Sequence, residues 1–140
     1  MIVLIRWVLI FGFIYPLFTF MNIEQLQQYC LSKPGVQETL PFGPDVLVYK
    51  VGGKVFLLCP LDTEKFQFNI KCNPDTALEL REQHPSVLPG YHMNKKHWNT
   101  VIADGSIPVK KLKEWIDHSY ELVVESLPNK ERERIFKDRS

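Results

Sequence analysis

Thirteen consecutive residues, PGYHMNKKHWNTV (89–101), hold two histidines, two lysines, two asparagines, a tyrosine and a tryptophan behind a Pro-Gly turn. Three chemistries could use such a set. Imidazoles could bind a metal, lysines and backbone donors could hold an anion, and aromatic rings beside cations could stack bases next to their phosphates. The metal is the weakest of the three. His92 and His97 are five apart and His84 and His118 lie elsewhere, whereas zinc sites want three or four ligands with short paired spacings. The three cysteines, Cys30, Cys59 and Cys72, form no C-x-x-C pair. They read as buried thiols in a reducing cytoplasm, not as a disulfide framework. No metal and no cofactor is expected.

Covalent catalysis has little to stand on. Neither Cys59 nor Cys72 sits at a helix N-terminus that would lower its pKa, and there is no G-x-S-x-G, P-loop or dinucleotide fingerprint. The expectation is a protein that is not an enzyme. The anion reading is stronger. From Pro85 to Lys113 there are five lysines (95, 96, 110, 111, 113) against Asp104 alone, a local +4 in a chain of formal charge +1. The candidate nucleic-acid contacts are His92, Asn94, Lys95, Lys96, His97 and Trp98. Lys71, on the polar face of a strand with Gln67 and Asn69, and Lys54, behind the Gly52-Gly53 turn, extend the surface. Lysine pairs also mark ordinary solvated loops, and Tyr91 and Trp98 read as the residues that pack the ends of this loop into the core.

The elements that must carry these residues follow from periodicity. Asn22 to Ser32 reads as a helix with Ile23, Leu26 and Cys30 on one face, capped by Asn22 with Gln25 three residues on. ETLPFGPD reads as a loop. VLVYKV (46–51) and KVFLLC (54–59) are strands joined by Gly52-Gly53, a two-residue hairpin signal. FQFNIKC (66–72) alternates, with Phe66, Phe68, Ile70 and Cys72 inward and Gln67, Asn69 and Lys71 outward. Asn73-Pro74 opens a helix that ends near His84, SVLPGYHMNKK is a loop, and HWNTVIA (97–103) is a strand. Ser106 is placed to cap a long helix from about Pro108 to Leu127, with its stripe at Val109, Leu112, Ile116, Tyr120, Val123 and Leu127. The order α-β-β-β-α-β-α predicts an α+β two-layer sandwich, an antiparallel sheet with helices on one face. Residues 21–127 form one domain, and 128–140 is a charged tail expected to be solvated and frayed.

Residues 1–20 stand apart, with Arg6 their one charge. They are about long enough to span a bilayer, for which about 20 apolar residues suffice. The favoured reading is that translation starts at Met21, with a signal anchor second and a cleaved signal peptide third. Without them the count is sixteen Lys and Arg (17 less Arg6) against sixteen Asp and Glu. A start at Met21 implies a cytoplasmic protein with no membrane partner.

Three stretches, running from MNIEQLQQYC through FNIKCNPDTALELREQHPSVLPGYHMNKKHWNTV to DGSIPVKKLKEWIDHSYELVV, resemble the MmcQ/YjbR family of small bacterial proteins. The resemblance covers Met21 to about Leu127, and its most specific pieces are PGYHMNKKHWNTV and IDHSYELV. It implies a frataxin/CyaY-like sandwich and a DNA-binding role through β-hairpin wings. Carried onto this chain, Gly52, Gly53 and Lys54 would be a wing tip and 92–98 the basic motif. Iron handling, which a frataxin-like fold suggests, finds only Glu24 on the first helix. The expected function is therefore a DNA-binding accessory or regulatory protein. The alternatives are a module gripping an acidic protein partner and a small-molecule binder between sheet and loop.

Overall fold

Short polar side chains and paired glycines set the ends of most elements. The computed structural model describes residues 7–10, 13–16, 20–91 and 93–137. In helix α1 (Ile23–Leu31), Asn22 Oδ1 accepts from Gln25 N–H at 2.8 Å, and Gln25 Oε1 accepts from Asn22 N–H at 3.1 Å. Two otherwise orphaned donors are thus satisfied reciprocally. Helix α2 (Pro74–Gln83) starts on proline behind Asn73, whose side chain accepts from Asp75 N–H. Helix α3 (Val109–Ser126) follows Pro108 with no side-chain cap. Ser106, expected there, instead donates to Asp104 and shares a 2.6 Å hydrogen bond with Ser86. The charged tail is not frayed: Asn129–Lys137 forms helix α4, and Ile135 packs against the core.

Strands β1 (Trp7–Ile10) and β2 (Phe13–Pro16) pair with each other, antiparallel. The main sheet is built from β3 (Val36–Thr39), β4 (Val46–Val51), β5 (Lys54–Pro60), β6 (Gln67–Lys71), β7 (Val87–Pro89) and β8 (Trp98–Ile102). Its spatial order is β3-β4-β5-β6-β8-β7, with every neighbour antiparallel. The expected succession α-β-β-β-α-β-α is found as α1, β4, β5, β6, α2, β8 and α3, with β1 and β2 before it, two short edge strands, β3 and β7, within it and α4 after it. Among the described residues no helix is long and apolar enough to cross a membrane.

Helices α1, α2 and α3 cover one face. Gln27 of α1 donates to Glu38, the residue opposite Tyr49. Asn99 of β8 donates to Ala77 O of α2, and Ser119 of α3 donates to Phe56 O. Between the layers lie Tyr49, Leu57, Phe68, Ile70 and Val101, fully or nearly fully buried against Leu112, Ile116 and Val123. Burying a side chain of this size stabilises by about 1.5–3 kcal/mol. The expected stripe of α3 is therefore the buried one.

One irregularity shapes the centre. Tyr49 lies opposite Leu57 but Lys50 lies opposite Val55, so Phe56 is an extra residue, a β-bulge. Phe56 and Leu57 are both fully buried, and the Phe56 ring meets Tyr120 edge-on at 5.5 Å. The bulge carries Phe56 O out of reach of its β6 neighbour. Ser119, itself fully buried, fills the gap: its hydroxyl accepts from Lys71 N–H at 2.8 Å and donates to Phe56 O at 2.6 Å.

Candidate functional site

The 89–98 segment is held from several sides, mostly through its backbone. Gly90 N–H donates to Trp98 O at 2.9 Å, and a Cβ on Gly90 would fall 2.8 Å from Trp98 Cβ. Only glycine allows that approach. Asn94 Oδ1 accepts from Lys96 N–H at 2.9 Å, and Asn94 O accepts from the amides of His97 and Trp98. Cys72 N–H, just past the end of β6, donates to His97 O at 2.7 Å. From α2, Arg81 donates to Asn99 Oδ1 at 2.7 Å and to Lys95 O. Lys95 and Lys96 are left exposed on a tightly tied loop, with His97 and Trp98 half-buried beside them. Asn94 is exposed, but its oxygen is spent within the loop. His92 lies outside the described residues.

Two expectations need correction. Tyr91 does not pack into the core: it is 71% exposed. Trp98 is half-buried, and it sits opposite Lys71. The register explains why. Trp98, Thr100 and Ile102 alternate with the buried Asn99 and Val101, so they point away from the helices. The local +4 is also divided in space. Lys110, Lys111 and Lys113 ride the first turns of α3 in the helical layer, with Lys111 paired to Glu114 at 3.4 Å and Lys113 Nζ 5.1 Å from the Tyr29 ring. Only Lys95 and Lys96 belong to the loop.

The Gly52-Gly53 turn takes φ +58 and +77, the positive pair that a primed hairpin turn needs. Its tip does not stand clear of the domain. A Cβ on Gly52 would lie 2.6 Å from Leu127 Cδ1, and Lys54 Nζ is 3.5 Å from Ser126 Oγ. Lys54 is exposed, but the end of α3 buttresses the hairpin that carries it.

The helix-free face of the sheet collects what the sequence scatters. Along it lie Lys50, Lys71 and Trp98 towards the hairpin end, Leu58, Asn69 and Thr100 across the middle, and Val46, Pro60 and Gln67 beyond. A cleft of about 610 Å³ opens here, walled by Phe42 of the β3–β4 loop and by Tyr91 and Met93 of the motif loop. Phe42 is 69% exposed. Asn69, expected on a wet strand face, is only 7% exposed and lines this cleft together with Tyr91 and Met93. Sequence reasoning missed Phe42 as a site residue. The available signal was an aromatic inside a Pro- and Gly-rich turn segment, where no period assigns it to a core.

Other chemistry is quiet. Burial pushes the thiols of Cys30 and Cys59 up to about 12 and that of Cys72 to about 11, so all three stay protonated near neutral pH. Among the described residues no three His, Cys, Asp or Glu side chains are grouped to hold a metal.

The YjbR family model matches residues 31–122. The chain is 37% identical over 112 residues to the uncharacterized protein YbdF of Escherichia coli O157:H7, covering 80% of this chain and 92% of that one. It is 34% identical over 115 residues to the uncharacterized protein YjbR of Escherichia coli K12, covering 82% and 98%. Among solved structures, Deinococcus radiodurans protein DR2400, a DUF419 domain, is similar with TM-score 0.79 and 35% identity over 84% of this chain and 90% of that one. A protein from Pseudomonas syringae is similar with TM-score 0.65 and 27% identity over 74% and 99%.

Proposed function

The chain belongs to the YjbR family, and from that premise we propose that it is a non-catalytic nucleic-acid-binding protein that works through the helix-free face of its sheet. The observation that carries this reading is the sharing of one face by cations and aromatic rings. Lys71 faces Trp98 across the β6–β8 ladder, and the exposed Lys95 and Lys96 share with Tyr91 one loop, tied down by Arg81. Phosphates attract the lysines and bases stack on rings, the pairing that single-strand binders use. The buttressed hairpin tip favours single strands over a duplex gripped by projecting wings. The frataxin-like kinship that the family resemblance implies belongs to the same proposal, and so does a reducing, cytoplasmic setting, which suits three free thiols.

The test is fluorescence anisotropy with labelled single- and double-stranded oligonucleotides over a salt series. The double change Lys95→Ala with Lys96→Ala is expected to lower the slope of log K against log salt by about 1.4 on single strands, about 0.7 for each phosphate that a lysine no longer neutralises. Because phosphates carry no base information, the weakening is expected to be nearly equal across sequences. No binding by the unaltered protein at low salt refutes the reading.

A further inference from the structure

We propose that the cleft on the helix-free face is a nucleobase site, in which Asn69 reads the edge of the base and Phe42 and Tyr91 flank its ring. The proposal deepens the nucleic-acid reading and rests on it only for the source of the base.

A chain of hydrogen bonds fixes the polar floor. Tyr91 N–H can only donate, and it does so to Thr100 Oγ1 at 3.3 Å. The Thr100 hydroxyl proton therefore passes on, to Asn69 Oδ1 at 2.5 Å. With its oxygen taken, Asn69 has its Nδ2 donors left, and these have no hydrogen-bond acceptor among the described residues. Asn69 lines the cleft and is 7% exposed. No fully enclosed side-chain polar atom among the described residues lacks a partner, so this amide keeps its opening towards the cleft. Asn69 therefore presents unspent donors, on a side chain fixed through its oxygen, to whatever enters the cleft.

The rest of the lining narrows the ligand. Val46, Val55, Leu58 and Pro60 make an apolar floor, and Gln67 adds a second amide with both donor and acceptor. Phe42 and Tyr91 are large exposed rings at the mouth. The volume of about 610 Å³ falls inside the range of about 300–1,000 Å³ typical of small-molecule sites. The occupant must be flat, apolar on its faces and polar at its edge, with an acceptor for Asn69. A fatty chain has no such edge and a sugar has no such faces. A nucleobase has both, whether it comes from a free nucleoside or from an unstacked strand.

The experiment is two-dimensional NMR on labelled protein, following the side-chain amides of Asn69 and Gln67. The probes are thymidine, adenosine, a dT oligonucleotide and an abasic oligonucleotide of equal length. A nucleoside or the dT strand is expected to shift both amides, and the abasic strand is expected to leave them in place. Phe42→Ala, at an exposed position, is expected to keep the fold and weaken base-dependent binding about 5- to 150-fold, the loss of one ring–base stack. Asn69→Ala also removes a partner of Thr100, so the variant at Phe42 decides where the variant at Asn69 unfolds. If nucleosides bind and strands do not, the site stands and the nucleic-acid reading falls. If dT and abasic strands bind alike and Phe42→Ala changes nothing, the phosphate reading stands and the cleft proposal is overturned. If nothing moves the amides, the cleft proposal is likewise overturned.

Discussion

Replacing Ser119 with alanine tests the central packing at one atom. In the native sheet its hydroxyl links Lys71 N–H to Phe56 O across the bulge, and the residue is fully buried. Alanine removes no methylene and fits the same helix. What it leaves is one backbone donor and one backbone acceptor without the partner they shared. A buried group left unsatisfied costs about 1–3 kcal/mol, and partial closing of the strands recovers some of that. The expected total is about 2–4 kcal/mol. With a urea m-value of about 2 kcal/mol/M, the middle of the range for small domains, the midpoint is expected to fall by about 1–2 M. Ser126→Ala is the control. That hydroxyl lies on the same helix and donates to Val123 O, but the residue is exposed, so its removal is expected to cost within about 0.5 kcal/mol. Amide exchange supplies the specific signature, since Lys71 N–H is expected to lose protection ahead of its neighbours in β6. If Ser119→Ala matches the control and Lys71 stays protected, the strands close without the hydroxyl and the bridging argument is wrong.

Three further outcomes follow from geometry. Gly52→Ala is expected to destabilise by about 1–3 kcal/mol more than Gly53→Ala in urea melts, because both strain a positive φ but only the first also meets Leu127; equal effects would count against the packed turn. The thiols, raised from 9.0 to about 11 and 12, are expected to resist alkylation at pH 8 until urea unfolds the chain. The unfolded thiols ionise first, so stability from this source is complete below pH 9 and falls as pH rises from there towards 11–12; rapid native labelling would contradict the burial. Arg81→Met is expected to speed amide exchange at Lys96, His97 and Trp98 and to weaken oligonucleotide binding while Lys95 and Lys96 remain, and unchanged exchange would show that the loop holds itself.

Local signals in the sequence were faithful. The Asn22 and Gln25 cap, the Gly52-Gly53 hairpin and the α3 stripe each depend on neighbours a few residues away, and each appears as expected. The misses have physical reasons. Strands β3 and β7 are four and three residues long, too short for a period of two to declare itself beside prolines. Ser119 hides in an apolar stripe because a hydroxyl in such a stripe is explained only by a bulge on another element, although its place three residues after Ile116 was a hint. The ring of Tyr91 suggests the core, but its position follows from the bond its amide makes to the Thr100 hydroxyl on β8, which no local pattern signals. The lysine run is contiguous in sequence and divided in space, and the cleft joins residues from 42 to 93, a convergence that no window of sequence contains.

The two edges of the main sheet bear on how this molecule behaves in a crowded solution. An open sheet is at risk of recruiting a stranger's strand along its rim, which is how ordered aggregates begin. Here one rim is β7, three residues ending in Pro89, which has no amide hydrogen to offer. The other is β3, four residues with the charged Glu38 among them. Neither rim is long enough to template a partner. The cleft on the helix-free face can therefore stay open to what approaches from above while the rims discourage what approaches from the side. A variant that extends β7 by replacing Pro89 would trade that discrimination for a tendency to self-associate at high concentration.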